Sequence, residues 1–126
     1  MRADRYSTHY QENQVLTAGR EQLLLLTYDG VLRFLARARK GIHEGDLHEK
    51  HIGITKAQGL IIELRRTLNF SQAPALAHNL ARVYTYLLEQ LSRADMEDDV
   101  DQIGHVIELV SELREAWVDL GRRGTQ

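Results

Sequence analysis

The 126-residue chain has no cysteine, a single proline and a single tryptophan. Without cysteine there can be no disulfide, no thiol nucleophile and no thiolate metal site, which fits a reducing compartment. No apolar run exceeds the four leucines Leu23 to Leu26, far short of the roughly 20 residues that span a bilayer. Met1 to Gln14 is polar and tyrosine-bearing, with no signal-peptide hydrophobic region. These absences predict a cytoplasmic chain that does not insert into membranes. The formal net charge of −2 provides no basic field for nucleic acid. The local basic run Arg33, Arg37, Arg39, Lys40 and the acidic run from Asp95 to Asp101 read as solvated helix faces and ends.

Chemistry-bearing motifs are equally scarce. There is no Glu-x-x-His pair for a carboxylate di-iron bundle and no His-Glu-x-x-His for a zinc protease. A glycine-rich phosphate loop and a Gly-x-Ser-x-Gly elbow are also missing. His48 and His51, three apart and close to His43 and Glu44, have metal-ligand spacing, but solvated side chains around a helix start are the simpler reading. No catalytic residue, cofactor or metal is expected, and the chain is not read as an enzyme.

What is present is helical period. Leu24, Tyr28, Val31, Leu35, Ala38 and Ile42 step by four and three along one face, predicting a first helix from about Arg20 to His43 that stops at Gly45. Asp46 and Glu49 form a capping box. Leu47, Ile54, Ala57, Ile61, Leu64 and Leu68 then trace a second helix to about Asn69. Leu76, Leu80, Val83, Leu87 and Leu91 mark a third, ending near Ala94. Asp99 and Gln102 make another box before Ile103, Val106, Val110, Leu113, Trp117 and Leu120 of a fourth. Short connections between long helices imply an all-α, antiparallel up-and-down four-helix bundle. The expected organisation is one domain: a bundle over 19–121, preceded by an extended or short-helical N-terminal segment, 1–18.

Two features exceed what a bundle requires. Gly30, Gly53, Gly59 and Gly104 fall inside helices, each costing about 1 kcal/mol relative to alanine. They mark either close helix approach or shallow notches for a docking peptide. The four consecutive leucines wrap apolar surface wider than the stripe that faces one core, because successive helical residues point about 100° apart. That surplus needs a cover. Leu23, Leu26, Leu60, Ile62, Tyr84, Leu88 and Leu109 lie beyond the four core seams and are the candidates to line a groove, with ordinary core as the alternative for each.

His78, within Ala77-His78-Asn79-Leu80, resembles the phosphorylated histidine of the histidine-phosphotransfer bundles. The likeness stops there: Ala81 and Arg82 stand where that family has lysine and glycine, removing the obvious stabiliser of a phosphoryl group. A generic helical interaction module is a further alternative.

A broader likeness runs through the whole chain. Tyr10-Gln11, then Asn13-Gln14-Val15-Leu16-Thr17-Ala18, Glu21-Gln22-Leu23 and Tyr28-Asp29-Gly30 resemble the N-terminal half of the flagellin-specific export chaperone family, FliS. Lys56-Ala57-Gln58, Ile61-Ile62-Glu63-Leu64-Arg65 and Leu68-Asn69 resemble its second helix. Asn79-Leu80 with Tyr84 and Tyr86 resemble its third, and Leu113-Arg114-Glu115-Ala116-Trp117 its closing signature. Gly19-Arg20 replaces a usual Ser/Thr-Pro, Ala73-Pro74-Ala75 a common Gly-Gly-Glu, and Thr27 an apolar residue. The resemblance implies a cytosolic chaperone without ATPase activity. Its client would be the disordered C-terminal segment of flagellin, kept from polymerising and delivered to the type III export gate. Further partners on this reading are an export-gate component, an anti-sigma factor or a co-chaperone. A disordered client that folds on binding needs an apolar groove to offset its ordering entropy, which the leucine surplus supplies. Tyr6, Tyr10, Val15 and Leu16 are then expected to form an N-terminal lid that covers part of the groove until the client displaces it.

Overall fold

The computed structural model describes the backbone of residues 2–124 and the side chains of residues 19–123. Four helices follow in order, with no strand among the described residues: α1 (Arg2–Glu44), α2 (Leu47–Arg66), α3 (Pro74–Glu97) and α4 (Val100–Gly124). The expected all-α four-helix architecture is what forms. None of these helices is long and apolar enough to cross a membrane.

The ends of the helices follow from local chemistry. Gly45 takes φ 73°, a left-handed conformation that costs glycine little. Its N–H donates to the Ile42 carbonyl, and that of Asp46 to the Gly41 carbonyl, so the last turn of α1 closes on itself. Asp98 ends α3 the same way at φ 51°, with the Asp99 N–H donating to the Ala94 carbonyl. Both expected N-caps are in place: the Glu49 N–H donates to Asp46 Oδ1 and the Gln102 N–H to Asp99 Oδ1, each at 3.1 Å. Neither box is reciprocal, because the N–H groups of Asp46 and Asp99 are already donated to the Gly41 and Ala94 carbonyls. In the connection between α2 and α3, Asn69 Oδ1 accepts from the Ser71 and Gln72 N–H groups, and Pro74 opens α3 where its missing N–H is harmless.

Cross-helix contacts give the register. Gly41 lies against Lys50, Gly53 against Ala38 and Gly30 against Leu60, so α1 and α2 run antiparallel. Lys50 meets Asp95 and Gln58 meets Ser92; Gln90 meets Gln102 and Tyr86 meets His105; Tyr28 meets Trp117. Each neighbouring pair is therefore antiparallel, in the cyclic order α1, α2, α3, α4. The core contains the expected Tyr28, Val31, Leu35, Ala38, Ile54, Ala57, Ile61, Leu87, Leu91, Ile103, Val106 and Val110.

Four expectations are corrected. α1 begins at Arg2 rather than Arg20: the N-terminal segment continues the helix instead of standing apart from it. Polarity was the misleading sign, since Gln, Glu and Arg favour helix about as well as leucine and no proline intervenes. α2 ends at Arg66, where Thr67 caps it by donating its hydroxyl to the Leu64 carbonyl. Leu47, Leu76 and Leu120, assigned to core stripes, are about half exposed, each close to an end of its helix. Of the four helical glycines first noted, Gly53 lets the helices touch, since a Cβ there would lie 2.6 Å from the Phe34 carbonyl oxygen; Gly59 and Gly104 face open space.

At the end bearing the two tight turns, Lys50 is almost fully buried. Its ammonium donates to the Asp95 carbonyl oxygen at 2.7 Å and pairs with the carboxylates of Asp95 and Asp98. His51 Nδ1 lies 2.7 Å from the other Asp95 carboxylate oxygen. Burial opposes the lysine charge, but the hydrogen bonds to Asp98 and Asp95 outweigh it and hold its pKa above the usual range. Burial likewise opposes the Asp95 charge, while His51 and Lys50 together pull its pKa below the usual range. Part of the acidic run is thus a clasp between α2 and α3. Arg37–Glu49 is a more exposed bidentate pair, and its exposure to water weakens it relative to the clasp.

Gly53→Ala is expected to lower stability by about 2 kcal/mol through overpacking against α1, whereas Gly59→Ala, in open space, raises it by up to about 1 kcal/mol. Urea denaturation midpoints of the two variants check the contrast. The clasp sets a pH window. Asp95's lowered pKa means that its contribution is complete above its unfolded value of 3.8 and drains away as pH falls through the folded one. Lys50's raised pKa means that its contribution is complete below 10.5 and is lost as pH rises through the folded one. Lys50→Met is expected to cost about 2 kcal/mol at neutral pH and to flatten the acid limb, which denaturation across pH measures.

Candidate functional site

The leucine run divides between two faces of α1. Leu24 packs against the core, and with Leu25 it lines a cleft between α1 and α4 of about 380 Å³. Trp117, Val118 and Leu120 form the α4 side, and Glu21 and Arg122 supply its charged lining. Leu23 and Leu26 lie seven and four residues before Gly30, on the α1 face that meets Leu60 of α2, and are 62% and 56% exposed. Thr27, where an apolar residue was expected, donates its hydroxyl to the Leu23 carbonyl at 2.8 Å and so satisfies itself within the helix.

The cleft is held from behind by polar bonds across the core. Trp117 Nε1 donates to the Tyr28 hydroxyl at 2.9 Å, and that oxygen lies 2.5 Å from the Tyr84 hydroxyl, where either can donate. Both tyrosines are buried, and burial is the main cause of their raised pKa values; for Tyr84 the hydrogen bond to Tyr28 adds to it. One turn away, Arg114 Nε donates to Asp29 Oδ1 at 2.5 Å, and this hydrogen bond raises the arginine pKa further. Tyr28-Asp29 on α1 and Arg114 with Trp117 on α4 therefore lock the two helices at one level.

The seven groove candidates do not converge. Leu23 and Leu26 are exposed on the α1/α2 side, with Leu60 partly buried beside Gly30. Ile62 is 45% exposed, and its spacing from Gln58 and Arg65 puts it on the α2 face toward α3. Leu88 lines a shallow furrow there with Arg65, Thr85 and Ser92. Leu109 lies one turn after His105, on the α3/α4 side, and rests against the core. Tyr84 is a correction: it is 1% exposed and belongs to the core, because its hydroxyl finds a partner in Tyr28 at the centre of the bundle. Tyr6, Tyr10, Val15 and Leu16 lie outside the residues whose side chains are described. His78 is exposed on α3 with its ring edge-on to Phe70, and Arg82 bonds Asn79.

Sequence reasoning missed Leu25 and Val118 and took Leu120 for core. The signals were the leucine run itself and the adjacent Trp117-Val118 before Leu120, both wider than one helical stripe. It also missed a division along the bundle. Among the described residues, nine large apolar side chains are exposed, and six of them, Leu23, Leu26, Ile62, Phe70, Leu76 and Leu120, lie on the half that holds the cleft and the α2–α3 connection. The opposite end exposes Leu47 and Met96 amid acidic turns.

Comparison with known proteins gives this surface a context. A family model described as Flagellar protein FliS matches residues 2–124. The chain is 32% identical to the flagellar secretion chaperone FliS of Campylobacter jejuni over 116 residues, 92% of this chain and 91% of that protein. It is 34% identical to the flagellar secretion chaperone FliS of Bacillus subtilis over 110 residues, 87% of this chain and 81% of that one. The flagellar secretion chaperone FliSB of Pseudomonas aeruginosa is 35% identical over 106 residues, 84% of each chain. Matched over residues 2–124 by the family model and over 92% and 87% of its length by the Campylobacter and Bacillus relatives, the chain belongs to the FliS family of flagellar secretion chaperones.

Proposed function

We propose that this chain acts in the cytosol on flagellin, holding its disordered C-terminal segment unpolymerised and bringing it to the flagellar export gate. The observation that carries this reading is the concentration of exposed apolar side chains on one half of the bundle, around a cleft of matching character. A disordered segment must recover its ordering entropy by burying apolar surface on its receptor. Completing the burial of a half-exposed leucine contributes about 1 kcal/mol, so Leu23, Leu26 and Leu120 together with the cleft offer several. The client's apolar face is proposed to seat in the α1/α4 cleft and to continue over Leu23 and Leu26, with Leu60, Ile62, Leu88 and Leu109 as shoulders for a longer wrap.

The phosphotransfer reading has less to support it. Ala81 stands where the histidine-phosphotransfer family has lysine, and Phe70 packs against the His78 ring. The N-terminal segment, with Tyr6, Tyr10, Val15 and Leu16, is proposed to act as a lid over the same apolar half.

Co-expression with the host's flagellin is expected to yield a stable one-to-one complex. In calorimetry with a flagellin C-terminal peptide, Leu26→Asp and Leu120→Asp should each weaken binding about tenfold or more with the helical circular-dichroism signal intact, while Leu47→Asp at the opposite end leaves affinity unchanged. Equal effects at all three positions would contradict the assignment. Deleting residues 1–14 should strengthen peptide binding or leave it unchanged; a large loss would make the segment part of the receptor rather than a lid.

A further inference from the structure

We infer that Tyr28 is a positioning residue for the α1/α4 cleft: its buried hydroxyl fixes the Trp117 indole as a preformed wall. This rests on the reading that the client seats in that cleft. Trp117 is partly buried, packs against the core and lines the cleft. A partly buried indole N–H needs an acceptor, and the one it has is Tyr28 Oη at 2.9 Å. Tyr28 is itself held on several sides: it is 1% exposed, its hydroxyl is bonded to Tyr84, and Asp29 beside it is paired with Arg114. The acceptor is thus anchored to three helices before any client arrives.

Removing that acceptor would leave the indole N–H without a partner, and the ring would turn toward water, taking one wall of the cleft with it. A receptor that must first order a large side chain binds more weakly than one in which it is already set. Tyr84 offers an internal control. Without its hydroxyl the Tyr28–Tyr84 bond is lost, yet Tyr28 still accepts from Trp117. The two tyrosine-to-phenylalanine changes therefore break the same core bond but differ in what they do to the indole.

The test uses the full chain and the flagellin C-terminal peptide, with calorimetry for affinity and the emission of Trp117, the sole tryptophan, for the state of the wall. Tyr28→Phe is expected to shift Trp117 emission to the red and to weaken binding about three- to tenfold, with helicity retained. Tyr84→Phe should leave both within about twofold even if it lowers the melting temperature as much. Equal weakening by both variants would overturn the inference, because the pair would then act only through stability. Unchanged affinity in Tyr28→Phe would overturn it too. Should Tyr28→Phe fail to fold, Trp117→Phe, which keeps an aromatic ring but has no N–H to place, must show the same weakening; undiminished affinity there rejects the inference. Failure of the underlying reading looks different: wild-type Trp117 emission does not respond to the peptide, and Leu120→Asp binds normally.

Discussion

A single phenolic oxygen, that of Tyr28, joins three of the four helices. It belongs to α1, meets the Tyr84 hydroxyl of α3 across the centre of the bundle, and accepts the indole N–H of Trp117 on α4. Two tyrosines in an otherwise aliphatic core would be a liability if either hydroxyl lacked a partner, since an unpaired buried polar group costs about 1–3 kcal/mol. Each satisfies the other only when the helices stand in one register. The polar bond therefore contributes less as net stability than as specification, and the Asp29–Arg114 pair repeats the α1–α4 register one residue along.

From that level the bundle divides into two unlike halves. Toward the tight turns, helices are drawn together by glycine contacts and closed by the buried Lys50 clasp. Toward the α2–α3 connection, side chains that a monomeric bundle would hide remain exposed, and α1 and α4 part to form a cleft. One half of the molecule is closed by tight contacts, and the other carries the exposed apolar surface. In a member of a secretion-chaperone family, such surface on a stable scaffold is what an unfolded export substrate would need.

Much of this was legible in the residues. Helical period located all four helices, the Asp46 and Asp99 caps and the Gly45 stop, because these depend on neighbours within a turn. The resemblance carried by Tyr28-Asp29-Gly30 and Leu113-Arg114-Glu115-Ala116-Trp117 led to the right family. What escaped depends on distant partners. Tyr84 read as surplus because its mate lies 56 residues away, and the acidic run from Asp95 read as solvated because the lysine that Asp95 and Asp98 close on lies 45 and 48 residues back. Period also says which way Leu120 points but not that α1 and α4 leave a cleft there, so its exposure was invisible. The N-terminal segment was misjudged for a different reason, since its polarity was weighed above its helix propensity.

The central claim is that an export substrate occupies the apolar half of this bundle and leaves the acidic end free. Site-specific photo-crosslinking in the chaperone–flagellin complex tests it most directly, with the crosslinker placed in turn at positions 26, 120, 47 and 96. The account predicts strong adducts to the flagellin C-terminal segment from 26 and 120 and none above background from 47 and 96. Adducts concentrated at 47 and 96 would contradict it.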